Sequence, residues 1–170
     1  MTELLERHRQ QHNNQLETDL AQAAALAALP HSSRLERGPA ADAGIPGLTG
    51  EIDLLVTDPP HRRLWVIEAK NPHPAIGTHN VSQGLGRFTR YRTKLLTKTD
   101  TIRKHAAQAA LLCGVDQPGD WTVIPLFVTR NIDPAAFTAD PGIAFTTIDH
   151  LRALLTDATP PKAGWNQAPT

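Results

Sequence analysis

A chain of 170 residues is the size of one domain and long enough to bury a proper core. Its 17 basic and 17 acidic residues cancel, so overall charge alone does not announce a nucleic-acid binder. A single cysteine, Cys113, excludes a disulfide-stapled or cysteine-ligated zinc fold and fits a reducing cytoplasm. No apolar run approaches bilayer-spanning length, and the N-terminus has no basic start followed by an apolar stretch. The expectation is a cytoplasmic protein without a membrane partner.

Residues 13–29 read as a helix, because Leu16, Leu20, Ala23, Ala24 and Ala27 recur at three- and four-residue steps until Pro30. A short strand over residues 33–36 leads into a loop of Gly, Pro, Ala and Asp that ends at Gly50. Two strands follow, over residues 51–56 and 64–70, joined by a turn-rich segment with Pro59 and Pro60. Pro72 and Pro74 stop the second strand, and the stretch to about Gly86 reads as irregular. A basic helix over residues 87–98 comes next. Asp100 is placed to cap another helix running to Cys113, with Gly114 just past its end. Residues 121–129 form an apolar strand whose continuity suits a central position, although Pro125 argues for an edge or a bulge. A last strand over 143–148 and a last helix over 149–155 precede a Pro-, Ala- and Thr-rich tail, residues 157–170, expected to be disordered. This order predicts a mixed α/β sandwich forming one domain over residues 1–156, its core spanning about 13–155.

The chemistry concentrates on the two middle strands. Folded as an antiparallel hairpin centred near Pro60 and His61, they set Asp53 opposite Glu68. Side chains alternate with period two, so Glu68 and Lys70 project from one face. Two carboxylates and an ammonium then meet on a mostly buried sheet, where unpaired charge costs several kcal/mol. A bound divalent cation is the simplest compensation. Hard oxygen ligands from Asp53 and Glu68 suit Mg²⁺ or Mn²⁺. Lys70 is placed to orient or deprotonate a water, or to stabilise the phosphoryl transition state.

Residues 87–104 hold Arg87, Arg90, Arg92, Lys94, Lys98, Arg103 and Lys104 against the single acid Asp100, with Phe88 and Tyr91 between them. Such a segment suits a phosphate backbone, and a solvated helix face has the same composition. Glu51 shares the face of Asp53 two residues away. Cys113 ends an apolar helix face and reads as core packing.

At Asp53, Glu68 and Lys70 the chain resembles the PD-(D/E)xK nuclease superfamily, which includes many restriction endonucleases and archaeal Holliday-junction resolvases. Ile52 stands where the motif has proline. The resemblance covers about Asn13 to Leu155. It implies a restriction-endonuclease-like αβββαβ core, a mixed sheet flanked by helices. It also implies a backbone-carbonyl metal ligand at Ala69 and a helical glutamate, Glu17, that completes the site. Gln83 resembles the family's glutamine after the motif, although its spacing to Tyr91 is longer than usual. The expected activity is metal-dependent hydrolysis of DNA phosphodiester bonds by an endonuclease. RNA and branched DNA stay open as substrates, and a homodimer stays open as a route to double-strand cutting. The competing expectation is an inactive nucleic-acid-binding or protein-interaction module on the same fold.

Overall fold

The computed structural model describes residues 2–71, 78–138 and 142–167. Six strands form one sheet in sequential order: β1 (His31–Leu35), β2 (Ile52–Asp58), β3 (Arg63–Ala69), β4 (Thr122–Thr129), β5 (Ala144–Thr147) and β6 (Gly164–Trp165). β1, β2 and β3 pair antiparallel, and β3 to β6 pair parallel. Parallel neighbours need long connections. These are supplied by α3 (Thr78–Lys104) with α4 (Ala106–Leu112), by a 3₁₀ turn at Pro134–Phe137, and by α5 (Ile148–Thr156). α1 (Thr2–Leu26) precedes the sheet, and α2 (Arg37–Asp42) lies between β1 and β2. The expected mixed α/β architecture is present. Among the described residues no helix is long and apolar enough to cross a membrane.

Strand alternation divides the core into two layers. Leu54, Val56, Trp65, Ile67, Leu126 and Val128 face Leu20, Ala24, Leu151 and Leu155, so α1 and α5 cover one face. Leu55, Leu64, Val66, Phe127 and Phe145 face Phe88, Leu95, Ile102, Ala109 and Ala110, so α3 and α4 cover the other. Phe88, Leu95 and Ile102 recur at seven-residue steps and form the buried stripe of α3. Phe88 sets the seat of that helix, with its ring 5.5 Å from Phe127 and 5.6 Å from Phe145. Cys113 is part of this layer. Burial pushes its thiol up to about 12, which agrees with the packing role.

Several elements differ from their sequence expectation. The segment expected as irregular to Gly86 is helical from Thr78, while residues 72–77 lie outside the described residues. Asp100 caps no helix; it lies inside α3 and pairs with Arg103 one turn on. The Thr-rich stretch that resembles a boundary is absorbed because Thr97, Thr99 and Thr101 donate their hydroxyls to carbonyls four residues back. The break falls instead at His105. Pro125 is tolerated in an interior strand. Thr122 and Lys70 bonds show that even-numbered residues of β4 face β3, so the Pro125 nitrogen faces β5. The β4–β5 pairing begins only at Leu126 and Ala144, so no rung is lost there.

The tail is the largest correction. It is described through residue 167 and adds a strand to the sheet, whereas residues 168–170 lie outside the described residues. Buried Arg63 donates to the carbonyls of Asp157 and Ala158, clasping the chain as it leaves α5. Gly164 and Trp165 then add β6, and buried Asn166 donates to the Lys162 and Gly164 carbonyls at 2.8 Å each. Composition missed this because two strand residues and one asparagine carry the order. Ending the chain after Thr159 should therefore lower stability by roughly 2–4 kcal/mol in urea unfolding; an unchanged midpoint would show that the segment contributes nothing.

Candidate active site

The site forms where the β2–β3 ladder parts. Pairing runs from Asp58↔Arg63 to Leu54↔Ile67, which centres the hairpin between Pro60 and His61 and sets Asp53 across from Glu68 as expected. Beyond Leu54 the strands separate, and the Asp53 carboxylate enters the gap. The Ala69 N–H donates to Asp53 Oδ2 at 2.7 Å in place of a further rung. In a strand residue the N–H and C=O point to the same neighbour, so the Ala69 carbonyl faces this gap too. On the opposite side the Lys70 N–H donates to the Val128 carbonyl at 2.9 Å, which fixes the chain just past β3.

Glu68 is buried, and each of its oxygens meets an ammonium group. Lys70 Nζ lies 2.9 Å from Oε1, and Lys98 Nζ of α3 lies 2.7 Å from Oε2. Lys98 also donates to the Glu51 carbonyl. The Lys70 ammonium sits 5.1 Å from the centre of the Tyr91 ring, within cation–π range. Asp53 is pushed up to about 6, first by burial and then by the Glu68 charge, against the pull of Lys70, the Ala69 N–H and Lys98. Burial, more than any neighbouring charge, therefore opposes the ionised form of Asp53.

A cleft of about 370 Å³ opens over these groups, lined by Thr49, Gly50, Glu68, Lys70, Tyr91, Lys94 and Lys98. Gly50, at φ +77°, takes the left-handed turn that delivers the chain to β2. Among the described residues no three His, Cys, Asp or Glu side chains converge as a metal cluster. Asp53, Glu68 and the Ala69 carbonyl are instead a small set of hard oxygens. Oxygen donors of this kind are the type that Mg²⁺ or Mn²⁺ takes, rather than the nitrogen and sulfur donors common at zinc.

Glu17 stands apart from this group. It projects from α1 to Arg34, at 3.6 Å, and Arg34 is in turn 3.2 Å from Glu51. The charges acting on Asp53 come from Glu68, Lys70 and Lys98. Glu17 is thus linked to the site through Arg34 and Glu51. Arg34 lies at the rung of Asp53, between Ser33↔Leu54 and Leu35↔Ile52, and has φ +54°. That uncommon conformation interrupts the edge strand beside the site and was invisible in the sequence.

The basic residues of α3 separate into different environments. Gln83, Arg87, Arg90, Lys94 and Lys98 follow one another at three- and four-residue steps along one face. Gln83, Arg87, Arg90 and Lys94 are exposed, whereas Lys98 is buried in the carboxylate group. Arg92 lies on another flank and lines a smaller cavity of about 180 Å³ with Phe88, Ala135 and Phe145. Lys98 had been expected on a solvent-facing phosphate track. Its position three residues after Leu95 and four before Ile102, on the buried stripe, was the signal that set it apart.

No protein-family model, curated protein or solved structure matches this chain.

The raised Asp53 carboxyl makes a stability prediction for the metal-free protein. A group that binds its proton more tightly when folded stabilises below its unfolded value, 3.8, and loses that contribution as pH rises through about 6. Asp53→Asn should therefore be more stable than wild type by roughly 2–3 kcal/mol near pH 8 in EDTA. The gap should close towards about pH 4. Urea unfolding at both pH values checks this, and a variant no more stable at the higher one would contradict the buried-charge account.

Proposed function

We propose that this protein is a metal-dependent nuclease of the PD-(D/E)xK type, acting on DNA phosphodiester bonds. The observation that carries this reading is the parted rung, where Asp53 lies within the fields of Glu68 and Lys70, and these two line a cleft with Lys94 and Lys98. The succession α1, β1, β2, β3, α3 and β4, with the short helices α2 and α4 set between β1 and β2 and before β4, supports this reading, which expects an αβββαβ order. Asp53 and Glu68, with the Ala69 carbonyl, would hold Mg²⁺ or Mn²⁺, which would supply an activated water and neutralise phosphoryl charge.

The chain's own groups do the rest. Lys70 keeps about a quarter of its side chain exposed, 24%, so its ammonium can reach a phosphate in the cleft. Placed beside Glu68 and the Tyr91 ring, it orients the attacking water or stabilises the charge that develops on the phosphoryl oxygens. Arg87, Arg90 and Lys94 lie exposed on the face that leads to the cleft and are placed to hold the strand by its phosphates. One observation favours the second reading, an inactive nucleic-acid-binding or protein-interaction module. Both Glu68 oxygens are already engaged by ammonium groups.

A time course on supercoiled plasmid with Mg²⁺, Mn²⁺ or EDTA decides between them. Nicking should require metal and fall by about a hundredfold or more in Lys70→Ala; cleavage that survives in that variant refutes the mechanism. Loss of binding energy along α3 is read separately. Replacing Arg87, Arg90 and Lys94 together with alanine should reduce the log–log salt slope of duplex binding by about 3. An unchanged slope in fluorescence anisotropy would assign that face to solvent.

A further inference from the structure

Lys98 is the buried charged group that the chemistry above leaves unused. Its residue is 6% exposed, yet its ammonium meets Glu68 Oε2 at 2.7 Å and donates to the Glu51 carbonyl. An apolar side chain of similar length would often serve stability as well or better at a buried position. The lysine also sits on the stripe of Leu95 and Ile102, where an apolar residue is the ordinary choice. Its charge therefore calls for a role beyond packing.

The two lysines on Glu68 are not equivalent. Lys70 has a carboxylate oxygen on one side, an aromatic face on the other, and 24% of its side chain in solvent. It can leave Oε1 without unmaking any packing. Lys98 spans from α3 to Glu68 of β3 and to Glu51 just before β2, is held by these two acceptors, and has a side chain only 7% exposed. It stays on Oε2. Together Asp53, Glu68, Lys70 and Lys98 carry a formal charge of zero when all four are ionised.

Resting on the metal-dependent reading, we propose that Lys98 is the resident second cation of this site. It holds Glu68 Oε2 permanently, leaves Oε1 to be exchanged between Lys70 and a metal, and limits the site to one divalent ion. A second divalent ion would find no carboxylate oxygen on Glu68 and a fixed ammonium in its place. Lys98 is on this account a positioning residue that tunes metal affinity downward.

Titration calorimetry with Mn²⁺ alone, on the full chain after EDTA removal, tests this. Wild type should bind one ion. Lys98→Met and Lys98→Gln should bind Mn²⁺ about tenfold more tightly, because Glu68 regains an uncompensated charge. Lys104→Gln, which removes an exposed cation six residues further along α3 and outside the cleft, should stay within about twofold of wild type. Thermal unfolding in EDTA shows which variants fold, and the wild-type stoichiometry stands even if neither Lys98 variant does. Two ions on wild type, or Lys98 variants with unchanged or weaker affinity, overturn the proposal; plasmid cleavage by wild type would then leave the nuclease reading intact. No Mn²⁺ binding by wild type or by the variants overturns both.

Discussion

Two carboxylates lie beneath a helix on the inner face of a sheet, and their charge has to be answered from within the fold. Glu68 is answered by Lys70 from its own strand and by Lys98 from α3. Asp53 is answered less completely, by a backbone N–H and by more distant ammonium groups, and its carboxyl stays raised. The apolar contacts of α3 serve this arrangement. Phe88 against Phe127 and Phe145 fixes the rotation of the helix, and that rotation brings Tyr91 over Lys70 and Lys98 onto Glu68. A core contact and a charged contact are therefore two ends of one rigid element.

The topology explains why the group sits where it does. β3 is the strand at which antiparallel pairing on one side gives way to parallel pairing on the other. Its carboxyl end is thus free of the hairpin partner while still tied to β4 through Lys70 and Val128. Binding sites of α/β sheets commonly lie at carboxyl ends of strands for the same reason: the ladder stops and the connections diverge. Here the divergence is used by a side chain, since Asp53 takes the hydrogen bond that a further rung would have supplied.

The hairpin site was legible because its rules are local. Two prolines mark the turn, period-two alternation assigns the faces, and the register that joins Asp53 to Glu68 then follows by counting. Lys98 was harder, since a basic run reads as one solvent-facing surface until the helical phase is fixed by Phe88, Leu95 and Ile102. The link from Glu17 through Arg34 to Glu51 depends on a non-glycine residue at φ +54°, for which no local pattern exists. β6 escaped for a different reason. Its order comes from Arg63 holding Asp157 and Ala158, partners about ninety residues away in sequence, at 94 and 95 positions. Helix α1, by contrast, announced itself through its periodicity at Leu16, Leu20, Ala23 and Ala24.

The left-handed Arg34 also governs how this sheet meets other chains. An open strand edge is a template for pairing, and proteins blunt it with charge, bulges or brevity. β1 is five residues long and is interrupted by a charged residue whose backbone turns out of the strand conformation. At the far edge β6 offers only two residues. Neither border can accept a continuous added strand, so a second copy or a partner would have to meet this domain through helices or loops. Growth by sheet extension, a route from a folded α/β domain to an aggregate, is opposed at one edge by the residue that interrupts the strand beside Asp53 and at the other by the brevity of β6.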